Sequence, residues 1–341
     1  MKYITLSVAT VLLLSGCQSL LNQTQSNNHE TNLEAEALID VASAGEINQA
    51  LLVDEAIDVI HPIADGNVDL GNNDQESYFS DDVWQRIRSN LKLPIPENQR
   101  VASQRDWFVK HPTYLTRVAK RAEPFLFYIV EALEENDIPI EIALLPIVES
   151  AFDPFAYSHG RASGMWQFVP GTGKRFGMKQ NWWYDGRRDV VASTQGAIAY
   201  LKYLNKFFDG DWMLALAAYN SGEGRVRRAV RKNQKKNLPT DFWSLDLPKE
   251  TRAYVPKLLA LADIVKRSDE LKIKLHEIDN SSVITKVDIG SQLDLAKAAQ
   301  LAELSLTELQ RLNPGFNRWA TDPDGPHYLL LPNHKIEKFE Q

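Results

Sequence analysis

The sequence predicts a mainly α-helical (α+β) protein that ends in a small β-α-α-β unit. Two observations predict the helical body: apolar residues recur at helical spacing from Asp82 onward, and no alternating strand pattern of any length precedes Ser282. A third, the change of texture after a polar junction at residues 279–281, predicts the closing unit. The stretch DDVWQRIRSNL opens on acids suited to a helix N-terminus and places Val83, Ile87 and Leu91 on one face. Residues 115–119 and 125–133 continue in the same mode. Pro94, Pro96, Pro112, Pro139 and Pro154 divide the region into short helices rather than strands. QGAIAYLKYLNKFF and DWMLALAAYN are two further amphipathic helices. Beyond the junction, residues 283–289 form a short strand, LDLAKAAQLAEL one helix and SLTELQRLN a second. Ser305 stands three residues before Glu308, the spacing of a capping box. Pro314-Gly315 ends the second helix, and residues 328–331 supply a closing strand.

The N-terminal part has a different character. Lys2 precedes an apolar run over residues 4–14 that is too short to span a bilayer and has the form of a signal-peptide core. LSGC follows, and it resembles the lipobox of bacterial lipoproteins, which implies cleavage before Cys17 and lipidation of its thiol. Gln18, a residue other than Asp, then implies the outer membrane, with a lipid anchor and the protein facing the periplasm. Cys17 is the only cysteine, so an intrachain disulfide is impossible. Residues 18–79 are rich in Asn, Gln, Glu and Asp and are expected to act as an acidic tether. Between Gln18 and Gln85 there are fourteen acids and no Lys or Arg, whereas residues 86–341 hold 37 basic residues against 31 acids. The net charge of −7 therefore describes the tether, and the working body is basic. A basic body suits an anionic polymer. The expected division is 1–17 signal peptide, 18–79 tether, 80–278 helical domain and 279–341 C-terminal subdomain.

Candidate chemistry centres on Glu149, which ends the apolar run IEIALLPIV. A carboxyl group held among apolar neighbours stays protonated at neutral pH, because desolvation penalises the charged form. A protonated carboxyl is what a glycosidic oxygen requires of a general acid. Ser150 either caps the helix end or hydrogen-bonds toward the acid. In SHGRASGMWQF, Gly160 and Gly164 allow close backbone approach to a sugar ring. Ser158 and Gln167 supply hydrogen bonds that could orient it. Met165 and Trp166 supply apolar surface, with core packing as the alternative for both. Asn220-Ser221-Gly222 has the form of a helix C-cap.

Read together, ESAFDPFAYSHGRASGMWQF, AAYNSGEGRV and ETRAYV resemble the lytic murein transglycosylases of the goose-lysozyme-like (soluble-lytic-transglycosylase) superfamily over about residues 80–335. The resemblance implies a lysozyme-like helical catalytic domain and a carbon-oxygen lyase that cleaves the MurNAc-β-1,4-GlcNAc bond of peptidoglycan. It further implies that Glu149 is the single acid and base, that Asn220 contacts the substrate acetamido group, and that Tyr219 and Tyr254 border Glu149. Peptidoglycan glycan strands are the expected partner, and no cofactor is called for. The C-terminal unit resembles the LysM wall-binding module, although its helical segment is longer than usual and its opening turn survives only as Gly290-Ser291. Well-formed LysM repeats usually follow the segment that ends here at LPNHK, whereas this sequence ends at Gln341, so packing on the catalytic core is the expected main role of the unit.

The missing second carboxylate bears on the reaction. Most glycosidases use two, and no other acid here has a motif around it. Asp153 lies in a turn-forming Asp-Pro pair, and Asp185 and Asp189 are expected to pair with Arg187 or Arg188. With one carboxyl, the substrate's own N-acetyl oxygen and C6 hydroxyl must complete the reaction, giving 1,6-anhydro-MurNAc ends. A hydrolytic muramidase on the same fold and a catalytically silent wall-binding lipoprotein are the alternatives. RVRRAVRKNQKK lacks interleaved aromatics and is a solvated helix face or wall-polymer contact rather than a nucleic-acid site. The seven His show no metal-ligand spacing, so no metal is expected.

Overall fold

The computed structural model describes residues 81–341. The signal peptide, Cys17 and the whole predicted tether lie outside the described residues. The first helix, α1 (Val83–Ser89), is capped by Asp82, whose side chain accepts from Trp84 N, and it buries Val83 and Ile87 as the periodicity predicts. Four elements lead to the key segment: α2 (Gln99–Lys110), α3 (Pro112–Ala122), α4 (Leu126–Glu134) and a 3-10 turn (Ile140–Leu144). That turn runs straight into α5 (Leu145–Ser150), all of whose residues except Glu149 are buried. After a long loop come α6 (Pro170–Arg175), α7 (Val190–Phe207), α8 (Trp212–Ser221), α9 (Glu223–Gln234) and α10 (Lys249–Lys266).

The last of these organises the body. α10 packs against α1, α2, α5, α8 and the 3-10 turn. Its buried residues Tyr254, Val255, Leu258, Leu259, Ala262 and Val265 form the centre of the main apolar core. Pro256 sits inside this helix and removes one hydrogen bond, the one that would reach the Arg252 carbonyl. ETRAYV lies within this helix, which the sequence disguises because the interior proline breaks the usual pattern. α2 was also missed, since its charged sequence QRVASQRDWFVK buries only Val101 and Phe108.

The predicted β-α-α-β unit is present. β1 (Ile284–Asp288) pairs antiparallel with β2 (Tyr328–Pro332), with Lys286 opposite Leu330. Two helices lie between them, α11 (Leu295–Leu301) and α12 (Leu306–Leu312). Both arms of the capping box form: Ser305 Oγ accepts from Glu308 N at 3.2 Å, and the Glu308 carboxylate accepts from Ser305 N at 2.8 Å. The first helix is shorter than LDLAKAAQLAEL, because Asp294 caps its start and Glu303 turns left-handed after its end. A short α13 (Ile336–Phe339) follows β2. Val287, Leu295, Ala298, Leu309, Leu329 and Leu331 form a small core of the unit's own.

Contacts to the 178–189 loop tie this unit to the body. Tyr328 donates to Asp189 Oδ2 at 2.9 Å. Fully buried Asp322 accepts from Asn181 at 2.6 Å and pairs with Lys179 at 2.9 Å. A Cβ on Gly315 would lie 2.8 Å from the Tyr184 ring, so this contact is tight. Ile284 and Leu330 also belong to the main core rather than the small one.

Candidate active site

Glu149 stands one residue before the end of α5. The helix terminates because Ala151 and Phe152 both adopt positive φ, 52° and 57°, and Phe152 N reaches back to Pro146 O at 3.1 Å. Two successive non-glycine residues in this region are strained. Phe152 is held there by complete burial of its ring. Glu149 is the half-buried residue of an otherwise buried helix.

α5 packs on α10, and there the Tyr254 hydroxyl donates to Glu149 Oε1 in a short hydrogen bond. Burial pushes the Glu149 carboxyl up to about 8. The Tyr254 hydrogen bond opposes that rise, Glu250 adds to it and Lys257 works against it. The Tyr254 and Tyr219 phenols are pushed well above their ordinary range, by burial first and then by the charge of Glu149, so both remain neutral donors. Tyr219 donates to Trp166 O at 2.8 Å, which fixes the GMWQF segment to the end of α8.

Several predicted site residues serve the scaffold. Ser150 Oγ donates to Met165 O at 3.0 Å and to Pro146 O at 3.3 Å, so of its two predicted roles the turn toward the acid is not taken. It stitches α5 to the glycine-rich loop instead. Ser158 is buried and its Oγ accepts from Ala162 N at 3.0 Å, which closes the turn of SHGRA. Met165 and Trp166 are in the core, at 1% and 0% exposure, and Trp166 Nε1 donates to Thr194 Oγ1. Neither side chain offers surface to a ligand, which corrects the expectation for Met165. Gln167, with φ 49°, donates to Gly164 O at 2.8 Å. Gly164 has φ 82°, and a Cβ there would lie 1.9 Å from Arg187 O. Its need for glycine is therefore internal rather than an approach to sugar.

Asn220 Oδ1 is buried with no hydrogen-bond partner among the described residues. Such an acceptor costs about 1–3 kcal/mol unless something satisfies it. It sits one residue after Tyr219, at the end of α8, where Gly222 (φ 82°) stops the helix as the sequence predicts.

Two features were hidden in the sequence, the clamp that Arg187 makes on the glycine-rich loop and the acid Glu250. Arg187 is buried; it forms a bidentate pair with Asp185 at 2.9 and 2.7 Å and donates to Arg161 O and Phe168 O. It clamps the SHGRASGMWQF loop from beneath. The pairing of Asp185 with Arg187 was expected, whereas that of Asp189 with an arginine was not realised. Asp189 caps α7 through Ala192 N and accepts from Tyr328. The second hidden feature is Glu250, a carboxylate within electrostatic reach of Glu149. It stands four residues before Tyr254, one helical turn along the same face, and that spacing was the available signal. Asp153 closes a turn by accepting from Phe155 N at 2.9 Å, as its Asp-Pro context predicts. Among the described residues no group of three or more His, Cys, Asp or Glu could hold a metal ion.

Comparison with known proteins defines the class first. The family model described as Transglycosylase SLT domain matches residues 127–241, which carry Glu149, the glycine-rich loop and Asn220. The model described as Lytic transglycosylase MltD, LysM-like domain matches residues 283–341. The whole chain aligns with membrane-bound lytic murein transglycosylase D of Escherichia coli (strain K12), 40% identical over 341 residues, covering 100% of this chain and 70% of that protein. The chain belongs to the family of membrane-bound lytic murein transglycosylase D. A shorter match is to membrane-bound lytic murein transglycosylase C of Haemophilus influenzae (strain PittEE), 32% identical over 134 residues, 36% of this chain and 38% of that one. Among solved structures, the 70 kDa soluble lytic transglycosylase of Escherichia coli is 22% identical over 52% of this chain and 32% of that one, with a TM-score of 0.37.

Proposed function

We propose that the chain is a lytic transglycosylase that cleaves the MurNAc-β-1,4-GlcNAc bond of peptidoglycan and leaves 1,6-anhydro-MurNAc ends, with Glu149 as its acid and base. The observation that carries the proposal is the state of Glu149. Burial pushes its carboxyl up to about 8, so it holds a proton at neutral pH, and Tyr254 fixes one of its oxygens. Protonated Glu149 donates to the bridging oxygen as the bond to C1 breaks. The substrate's N-acetyl oxygen meets the charge developing at C1. The C6 hydroxyl of the same sugar then attacks C1, and the Glu149 carboxylate takes its proton. Atoms balance without water, and the nucleophile gains from belonging to the same ring. Asn220 Oδ1 is an acceptor suited to the substrate's acetamido N–H.

Glu250 favours a second reading, hydrolysis by a pair of carboxylates, because it acts on Glu149 electrostatically. Product masses from purified sacculi decide: anhydro ends support the lyase, reducing ends the hydrolase, and no cleavage a silent binding protein. Asp153→Asn, Asp185→Asn and Glu250→Gln should each leave turnover within about tenfold, about 1.4 kcal/mol of barrier. A loss as deep as that of Glu149→Gln in any of them would favour two carboxylates.

The working division is a catalytic domain at 80–278 and a LysM-like subdomain at 279–341, behind a signal peptide at 1–17 and a tether at 18–79. The lipobox-like LSGC supports anchoring at the outer membrane through lipidated Cys17, and the relatives' names carry the words membrane-bound. Among the described residues no helix is long and apolar enough to cross a membrane. Mass or fatty-acid labelling of Cys17 tests this, with Cys17→Ser as the control; unlipidated wild-type protein in its native host would refute it.

A further inference from the structure

Three tryptophans meet at the seam between the body and the C-terminal unit. Trp182 and Trp183 lie on the 178–189 loop, and Trp319 comes from the loop between α12 and β2. Ring centroids are 4.7 Å apart for Trp182–Trp183, 5.3 Å for Trp183–Trp319 and 5.7 Å for Trp182–Trp319, so each ring meets both others. Yet Trp182 is 52% exposed and Trp319 is 61% exposed. Indoles that only sealed the seam would turn into it, since each has about 150–250 Å² to bury. Hydrogen bonds already close the seam here. Asn317 N donates to Trp183 O at 2.7 Å, Arg318 Nε to Trp182 O at 3.1 Å and Asn317 Nδ2 to Asn181 O at 3.2 Å. Large apolar side chains left contiguous at a surface mark a place of interaction.

The cluster is also held in place. Asn181 Oδ1 accepts from Trp183 N at 2.9 Å and Tyr184 N at 2.8 Å, which fixes the turn that carries the pair. Leu295 N donates to Trp319 O at 2.7 Å, and the Arg318 guanidinium stacks 3.9 Å from the centre of the Trp182 ring. A surface ordered before binding loses little freedom when a ligand arrives. The same loop leads to the candidate active site. Arg187, at most about 14 Å of chain beyond Trp183, donates to Arg161 O and Phe168 O of the glycine-rich loop. A strand of β-1,4-linked pyranoses presents flat faces of C–H bonds with partial positive charge, which suit the negative face of an indole. Its hydroxyl and acetamido oxygens suit the several N–H donors of Arg318 at the rim. We propose that Trp182, Trp183 and Trp319 form a stacking platform for the glycan strand, a subsite that neither the body nor the C-terminal unit holds alone. It engages sugars beyond those at Glu149, and it rests on the lytic transglycosylase reading above.

The test uses the full chain carrying Glu149→Gln, so that strands survive the measurement. Long glycan strands stripped of peptide by an amidase are titrated by calorimetry, with Tm recorded on the same samples. Trp182→Leu with Trp319→Leu keeps apolar bulk but removes the ring faces, and it should weaken binding about tenfold. Trp182→Phe with Trp319→Phe keeps a ring face at both positions and should stay within about threefold of the parent. Should the leucine pair fail to fold, Trp319→Leu alone, at the most exposed ring, should still weaken binding about threefold. Leucine and phenylalanine pairs that bind equally tightly overturn the proposal. A lower Tm with unchanged binding also overturns it and makes the cluster part of the packing between the units. Sedimentation of the parent and the leucine pair checks a further occupant: a dimer lost in the pair, with strand affinity unchanged, would assign the platform to a second copy of the chain. Product masses from the chain with Glu149 intact separate the two readings. If no strand is cleaved, the lyase reading falls while the titration still decides the platform; if strands are cleaved and the titrations agree, the platform alone falls.

Discussion

Replacing Glu149 by Gln should abolish cleavage and, at neutral pH, stabilise the fold. The ordinary glutamate value is 4.5, and in the folded protein burial pushes Glu149 up to about 8. A group whose folded value is raised contributes its full stability below the unfolded value and loses it as pH rises toward the folded one. The window is therefore about pH 4.5 to 8. The loss accrues at about 1.36 kcal/mol per pH unit, so at pH 7.5 it reaches about 4 kcal/mol. That figure is a ceiling, because Glu149 keeps a solvent-facing edge. Gln keeps the shape and an acceptor for Tyr254 but has no proton to lose, so the variant escapes the penalty. At roughly 2–4 °C per kcal/mol for a domain of this size, the ceiling corresponds to about 8–16 °C in Tm. Thermal unfolding of both proteins at pH 4.5 and pH 7.5 measures it. The variant should gain markedly on the wild type at pH 7.5 and little at pH 4.5. A Tm difference that is the same at both pH values would refute a buried, proton-holding Glu149.

Tyr254→Phe removes a hydrogen bond that lowers the Glu149 value, so the alkaline limb of kcat/KM, near pH 8 in the wild type, should move up. A bond to a charged group is worth about 1.5–3 kcal/mol, which corresponds to roughly 1–2 pH units, and a pH profile of anhydro-product release that stays put or moves down would contradict it. Deleting residues 282–335 should destabilise the body, because it uncovers Tyr184, now 2% exposed, and removes the Tyr328 partner of Asp189. Those two losses sum to about 4 kcal/mol, or roughly 8 °C or more in Tm; an unchanged Tm with much weaker pull-down on sacculi would instead make the unit a binding module. Gly164→Ala should cost more than about 3 kcal/mol by urea unfolding, since its Cβ would lie 1.9 Å from Arg187 O, whereas Gly177→Ala, with φ 83° and nothing within 4 Å, should cost only about 1–2 kcal/mol. Equal costs at the two glycines would mean that φ alone sets the penalty.

Much of this protein is legible in its sequence by itself. Local periodicity and capping chemistry act over a few residues, so α1, α7, α8, the Ser305–Glu308 box and both strands of the C-terminal unit could be placed from the chain alone. The partly buried setting of Glu149 was legible too, because an acid ending a run such as IEIALLPIV is held against the core by its apolar neighbours. What lay beyond the sequence was direction and partnership across distance. Whether Ser150 faces the acid or Met165 O, whether Trp166 meets sugar or core, and whether Gly164 serves a ligand or the Arg187 carbonyl depend on how α5, the loop and α7 pack. Hydrophobic burial sets that packing, and it is non-directional along the chain. Tertiary structure brought Glu250, marked in the sequence only by its spacing from Tyr254, into the field of Glu149, and it carried Arg311 across from the C-terminal unit to α3. Electrostatic and hydrogen-bond partners are chosen by proximity in space, and a linear pattern records only proximity in sequence.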